Sequence, residues 1–200
     1  MHLLIMGPPG AGKGTQASRI GAHYAIPAIS TGDMFRAMKT QDSPLARQVQ
    51  EIMASGGYVS DDITNQVVAD RLLADDCATG FLLDGYPRTL QQVTYLDGVL
   101  EEGDRALDVV VSLAADSDEV VRRLLKRAET SGREDDNEAT IRTRQDKYTA
   151  DTAPLLEVYR DRGLLVEVDG LGEIDDVTSR LLAALDERAA GRGALVGGTS

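Results

Sequence analysis

Residues 7–15 read Gly-Pro-Pro-Gly-Ala-Gly-Lys-Gly-Thr, directly after the apolar run Leu3-Leu4-Ile5-Met6 and before a segment of helical character. A strand, a glycine-rich turn and a helix in that order are the context of a phosphate-binding loop. Glycines let successive backbone N–H groups turn inward around an anion, and the helix that follows points its positive end at the same place. On this reading Gly10, Ala11, Gly12 and Gly14 cradle the anion with backbone, and Lys13 reaches its outer phosphates. One detail departs from the general pattern. Gly14 follows Lys13 and the hydroxyl is displaced to Thr15, a weaker candidate for holding a metal ion directly.

Such a loop needs a sheet behind it. Strand-like runs at residues 3–6, 28–30, 81–84, 108–113 and 164–168 alternate with helix-length stretches, which predicts a five-stranded parallel sheet flanked by helices, an α/β fold. At 200 residues, 42% of them hydrophobic, the chain can bury one substantial core and is short for two independent domains. Ile174, Val177, Leu181, Leu182 and Leu185 recur at helical spacing behind Glu173, Asp175 and Asp176, predicting a last helix that closes the core. Residues 189–200 are rich in Gly, Ala, Ser and Thr with little to bury, so a disordered tail is expected after a domain of residues 1–188. Two segments interrupt the alternation, residues 31–60 and the polar stretch 128–135, and both are candidate moving flaps.

Composition narrows the function by exclusion. A formal charge of −12 argues against a nucleic-acid partner, because phosphate backbones need a basic surface. No apolar run approaches the roughly 20 residues needed to cross a bilayer, and no basic stretch precedes a long apolar region, so a cytoplasmic chain without signal or membrane span is expected. Cys77 stands alone, which leaves no internal disulfide and no multi-thiolate zinc cluster. The run Phe-Leu-Leu-Asp at residues 81–84 is an apolar strand ending in a carboxylate, an arrangement that orients a magnesium ion or its waters in phosphoryl-transfer proteins.

With the loop extended to Gln16, Ile-Ser-Thr-Gly-Asp-Met-Phe-Arg at residues 29–36, and Phe-Leu-Leu-Asp-Gly-Tyr-Pro-Arg at 81–88 with Gln92, the sequence resembles the adenylate kinase family from its first residue to about Arg188. The resemblance implies a P-loop kinase fold with a helical AMP-binding flap at residues 30–59 and a short lid at about 127–135. It implies that ATP sits on the loop from Gly10 to Thr15, with Arg127 and the backbone at Gly172. AMP would meet Thr31 and Arg36, then Gly57, Tyr58 and Val59 largely through backbone, then Gly85, Tyr86, Arg88 and Gln92. An Arg fork such as Arg36 suits a doubly charged monophosphate, and a Gln carboxamide suits the edge of adenine. Gly57 replaces a Lys often found in the family, which removes any side-chain role there.

Arg123, Arg133 and Arg144 complete the resemblance, the first two converging on the transferring phosphoryl and Arg144 on the AMP side, with Asp135 and Asp136 helping to close the lid. The implied chemistry is reversible, magnesium-dependent transfer from ATP to AMP giving two ADP. Lys13, Arg88, Arg123, Arg133 and Arg144 act as the charge clamp, and Asp84 organises magnesium through the waters of the ion. No zinc is expected, and a monomer is the family expectation. Because such transfer is catalysed by positioning and neutralisation, no nucleophilic Ser, Cys or His is required, and His2 and His23 are read as non-catalytic. Two alternatives stay open: a UMP or CMP kinase on the same fold, and a nucleotide-binding regulator that has lost catalysis.

Overall fold

Alternation along each strand divides the apolar residues between two faces, and that division builds the molecule. The computed structural model describes residues 1–38, 43–131 and 137–196, with 117–118, 127–131 and 191–196 described by backbone alone. Five strands, β1 (His2–Met6), β2 (Ala28–Ser30), β3 (Phe81–Asp84), β4 (Val109–Ala114) and β5 (Leu165–Asp169), lie parallel in the order β2-β3-β1-β4-β5. Each matches its expected run to within one residue. Around them are α1 (Lys13–Tyr24), α2 (Thr31–Ala37), α3 (Pro44–Ala54), α4 (Asp61–Leu72), α5 (Leu90–Glu102), α6 (Ser117–Ser131), α7 (Glu138–Lys147), α8 (Leu155–Asp161) and α9 (Ile174–Val196).

On one face, Leu4, Met6, Leu83 and Val110 pack with Val68 and Leu72 of α4, Val93, Leu96 and Leu100 of α5, and Leu155 and Tyr159 of α8. On the other, Leu3, Ile5, Leu82, Val109, Val111 and Leu113 meet Ala17 and Ile20 of α1 and Val177, Leu181 and Leu185 of α9. The register places Ile5 beside Asp84 on β3 and Val111 on β4, and Ser30 beside Asp84. The carboxyl ends of β1, β2 and β3 are therefore level, and the glycine loop leaves the end of the central strand, where open α/β sheets bind ligands.

Segment 31–60 has its own small core, Phe35, Val49 and Val59 with Ile52, Met53, Ile63 and Val67 around them. Its helices are started locally: the hydroxyl of Ser30 accepts from Asp33 N–H at 3.2 Å and that of Ser43 from Ala46 N–H at 3.1 Å. A fourth cluster, Val120, Leu124 and Ile141, joins α6 to α7.

Two expectations are corrected. Helix α6 runs to Ser131, so residues 128–131 continue a helix instead of opening a loop, and Arg133, Asp135 and Asp136 lie outside the described residues. Helix α9 runs to Val196, past Ala189 where a disordered tail was expected. Ala189, Ala190, Arg192, Ala194 and Leu195 are strong helix formers, and propagation from an anchored helix needs no further burial. Among the described residues no helix is long and apolar enough to cross a membrane.

Leu83 lies at the centre of the first core with no exposure. Leu83→Ala should cost about 2–5 kcal/mol of unfolding free energy, read as a lowered midpoint in urea denaturation at unchanged slope.

Candidate active site

The turn from β1 into α1 depends on backbone that only glycine adopts without strain. Gly10 and Gly12 both have φ of 91°, in the left-handed region. At Gly10 the missing side chain also makes room: a Cβ would stand 2.8 Å from Leu124 Cγ and 2.9 Å from Val120 Cγ1 on α6. At Gly12 no atom lies within 4 Å of that point, so the residue opens onto a cleft of about 960 Å³. The loop is braced internally by Ala11 N–H donating to Pro8 O at 3.1 Å, and from α7 by Gln145 Nε2 donating to Pro9 O at 3.2 Å. Gly14 and Thr15 are exposed to the same cleft, in the first turn of α1, where backbone N–H groups lack helical partners.

Cations border this cleft, and the described contacts show what holds several of them. Lys13 Nζ donates to Gly7 O at 2.8 Å and Pro8 O at 2.9 Å, folding back over its own loop. Arg88 Nε donates to Gly85 O at 2.7 Å, and the guanidinium lies over the Tyr58 ring, 4.6 Å from its centroid. Arg123 Nε donates to Glu119 Oε1 at 2.7 Å and its Nη1 to Gly170 O at 3.2 Å. Arg36 pairs with Asp33 at 2.5 Å. Arg144 borders both this cleft and the adjoining smaller pocket under segment 31–60.

Asp84 ends β3 on the cleft floor, its Oδ2 3.7 Å from where a Cβ of Gly14 would stand. Burial pushes its carboxyl above the ordinary 3.8, with Lys13 and Arg88 pulling the other way and Asp33 adding to the rise. Among the described residues no group of three or more His, Cys, Asp or Glu side chains gathers as a metal cage. One carboxylate beside an open, polar cleft fits an ion that keeps most of its own waters, as magnesium does.

The residues expected around the second nucleotide divide into two sets. Gly57, Tyr58, Val59, Gly85, Arg88 and Gln92 border the smaller pocket. Tyr86, by contrast, turns its side chain into the core at 1% exposure, donating its hydroxyl to Asn65 Oδ1 at 2.6 Å, so only its backbone is left for the cleft. Thr31 also borders the pocket, but its hydroxyl is engaged, donating to Gly85 O at 3.0 Å. Gly172, with φ of 105°, borders the cleft opposite the loop, whereas Arg127 is described by backbone alone.

Sequence reasoning missed three groups that set this geometry. Glu119 holds Arg123, and a one-turn spacing on α6 could have suggested it. Gln145 stands one turn after the buried Ile141 and so on a similar face, reaching the loop. Gln16, 3% exposed, donates its amide to Ile174 O at 3.1 Å and accepts from the Thr178 hydroxyl at 2.8 Å, fixing α9 beside Gly172; the loop motif ends on this residue but does not reveal its contact with α9.

A family model described as Adenylate kinase matches residues 5–164. A relative named Adenylate kinase from Leifsonia xyli subsp. xyli is 58% identical over 186 residues, covering 93% of this chain and 94% of its own length. Those of the same name from Clavibacter michiganensis subsp. michiganensis and a Nocardioides species are 56% and 55% identical, covering 96% and 93% of this chain and 94% and 97% of their own lengths.

The Asp84 carboxyl supplies a stability prediction. Between 3.8 and its raised value the folded chain keeps a proton that the unfolded chain has released, so its contribution falls as pH rises through that window and stays low at neutral pH. Asp84→Asn removes this penalty. The ligand-free variant should melt above the parent at pH 7, with the gap closing as pH falls toward 3.8, and scanning calorimetry across that range is the check.

Proposed function

The chain belongs to the adenylate kinase family, and on that premise we propose that it transfers the terminal phosphoryl group of ATP to AMP, reversibly and with magnesium, giving two ADP. The observation that carries this reading is one continuous cleft bordered by the glycine loop, Lys13, Asp84, Arg88, Arg123 and Arg144. Phosphoryl transfer spreads negative charge over the equatorial and leaving oxygens, so an array of fixed cations and inward backbone N–H groups is the catalyst it needs.

In this reading ATP lies with its phosphates on residues 10–15 and its base toward Gly172. AMP lies under segment 31–60, its phosphate held by Arg36 and Arg88 and its base beside Gln92. Lys13 exchanges the carbonyls of Gly7 and Pro8 for phosphate oxygens, and Arg36 exchanges Asp33, so neither cation travels far. Arg123, held by Glu119 and Gly170, is aimed at the group in transit. Asp84 would hold magnesium through the waters of the ion. When bound, that ion screens the charge of the phosphate oxygens.

The separate core of segment 31–60 supports its acting as a flap over AMP. Residues 127–135, with Arg127 and Arg133, would form the short lid, and closure of both excludes water as a competing acceptor. A cytoplasmic monomer belongs to the same reading.

A coupled assay with Mg-ATP and AMP, UMP, CMP or GMP tests the proposal. Rapid ADP formation with AMP, run backwards from ADP alone, is the expected result. A stronger response to UMP or CMP would overturn the base assignment and leave the clamp intact; no transfer to any acceptor would leave a nucleotide binder. Arg123→Ala should lower turnover by about 10³ to 10⁵ with a much smaller change in nucleotide affinity.

A further inference from the structure

Acidic residues in the first turn of a helix ordinarily serve its dipole. In α4 the exposed Asp62 suffices for that. Its neighbour Asp61, half-buried, turns both oxygens onto α5 instead: Oδ1 accepts from Gln92 Nε2 at 2.7 Å, and Oδ2 from the Thr89 hydroxyl at 2.7 Å. The other end of the same carboxamide, Gln92 Oε1, accepts from the Arg88 backbone N–H at 2.7 Å. A carboxylate only accepts and a backbone N–H only donates, so these two partners admit a single orientation of the amide. Rotated by half a turn, it would set oxygen against oxygen and N–H against N–H in a residue that is 2% exposed.

We propose that Asp61 is a positioning residue for base selection: by fixing which end of the Gln92 carboxamide donates and which accepts, it favours a 6-amino over a 6-oxo purine monophosphate. This rests on the reading above, in which the pocket bordered by Gln92 takes the acceptor nucleotide. Each end of the amide keeps one further hydrogen-bonding capacity, the second N–H of Nε2 and the second lone pair of Oε1. A 6-aminopurine presents a donor at its amino group and an acceptor at N1, and a 6-oxopurine presents the reverse. A locked amide complements one pattern and opposes the other, whereas an amide able to turn over serves both.

The test compares AMP with IMP, which differ only at those two positions. Asp61→Asn replaces an acceptor-only partner with one that also donates, so the turned-over Gln92 amide no longer meets oxygen with oxygen at residue 61 and is opposed only by the Arg88 N–H. The ratio of kcat/KM for IMP to that for AMP should rise about tenfold or more. Asp61→Glu, still acceptor-only, should keep the parent ratio even if both rates fall. A role confined to holding α4 against α5 would lower both substrates together, and an unmoved ratio in folded Asp61→Asn overturns the proposal while leaving AMP kinase activity in the parent. A parent that phosphorylates neither nucleotide overturns both readings. Should the variant not fold, side-chain amide exchange by NMR in the parent decides. Gln92 should give one slowly exchanging pair, and protection no greater than that of the exposed Gln91 overturns it.

Discussion

Contact between Gly10 and helix α6 is the constraint on which the other parts of the site depend. Without a Cβ at Gly10, the side chains of Val120 and Leu124 pack directly on the loop, and the helix that carries Arg123 is fixed against the backbone that borders the cleft. Any larger residue would separate loop from arginine by the width of a side chain. The same glycine has φ of 91°, so the chain could not make this turn with another residue even if the space were found.

Around that contact the molecule manages a conflict of charge. The chain carries a formal −12, yet its cleft is bordered by two lysines and several arginines. These cations are held by nearby acceptors: Lys13 by loop carbonyls, Arg88 by Gly85 O, Arg36 by Asp33, Arg123 by Glu119 and Gly170. Each is oriented before a ligand arrives, which lowers the ordering cost of binding. The carboxylate on the cleft floor is the opposite case, since burial disfavours its charge and neighbouring cations only partly offset that. In the empty cleft this carboxyl is therefore a local cost to the stability of the fold.

Much of this was legible beforehand because its causes are local. The phosphate loop could be read from residues 7–15, since glycines, a lysine and the flanking strand and helix all lie within a few residues. The five strands could be read because apolar runs bounded by turns dictate them, and Asp84 because it ends such a run. Helix α9 continues to Val196 although little is left there to bury, because alanine and arginine favour helix without packing. Tyr86 follows β3 in the same motif as Asp84 and borders the cleft, while its ring lies in the core with its hydroxyl on Asn65, a placement the motif does not reveal.

By itself, the sequence determined which chemistry is available: a glycine-rich loop between strand and helix, a set of arginines, a carboxylate at a strand end, and an order of strands and helices that allows a parallel sheet. The tertiary structure alone decided which groups hold those residues in place. Gln145 on Pro9, Gln16 between α1 and α9, and Asp61 on Gln92 are contacts between side chains and partners that the chain brings together by folding. The Asp61–Gln92 pair is 31 residues apart. A hydrogen bond depends on distances of a few tenths of an ångström and on the direction of a lone pair, and neither is encoded in the spacing of residues along a chain.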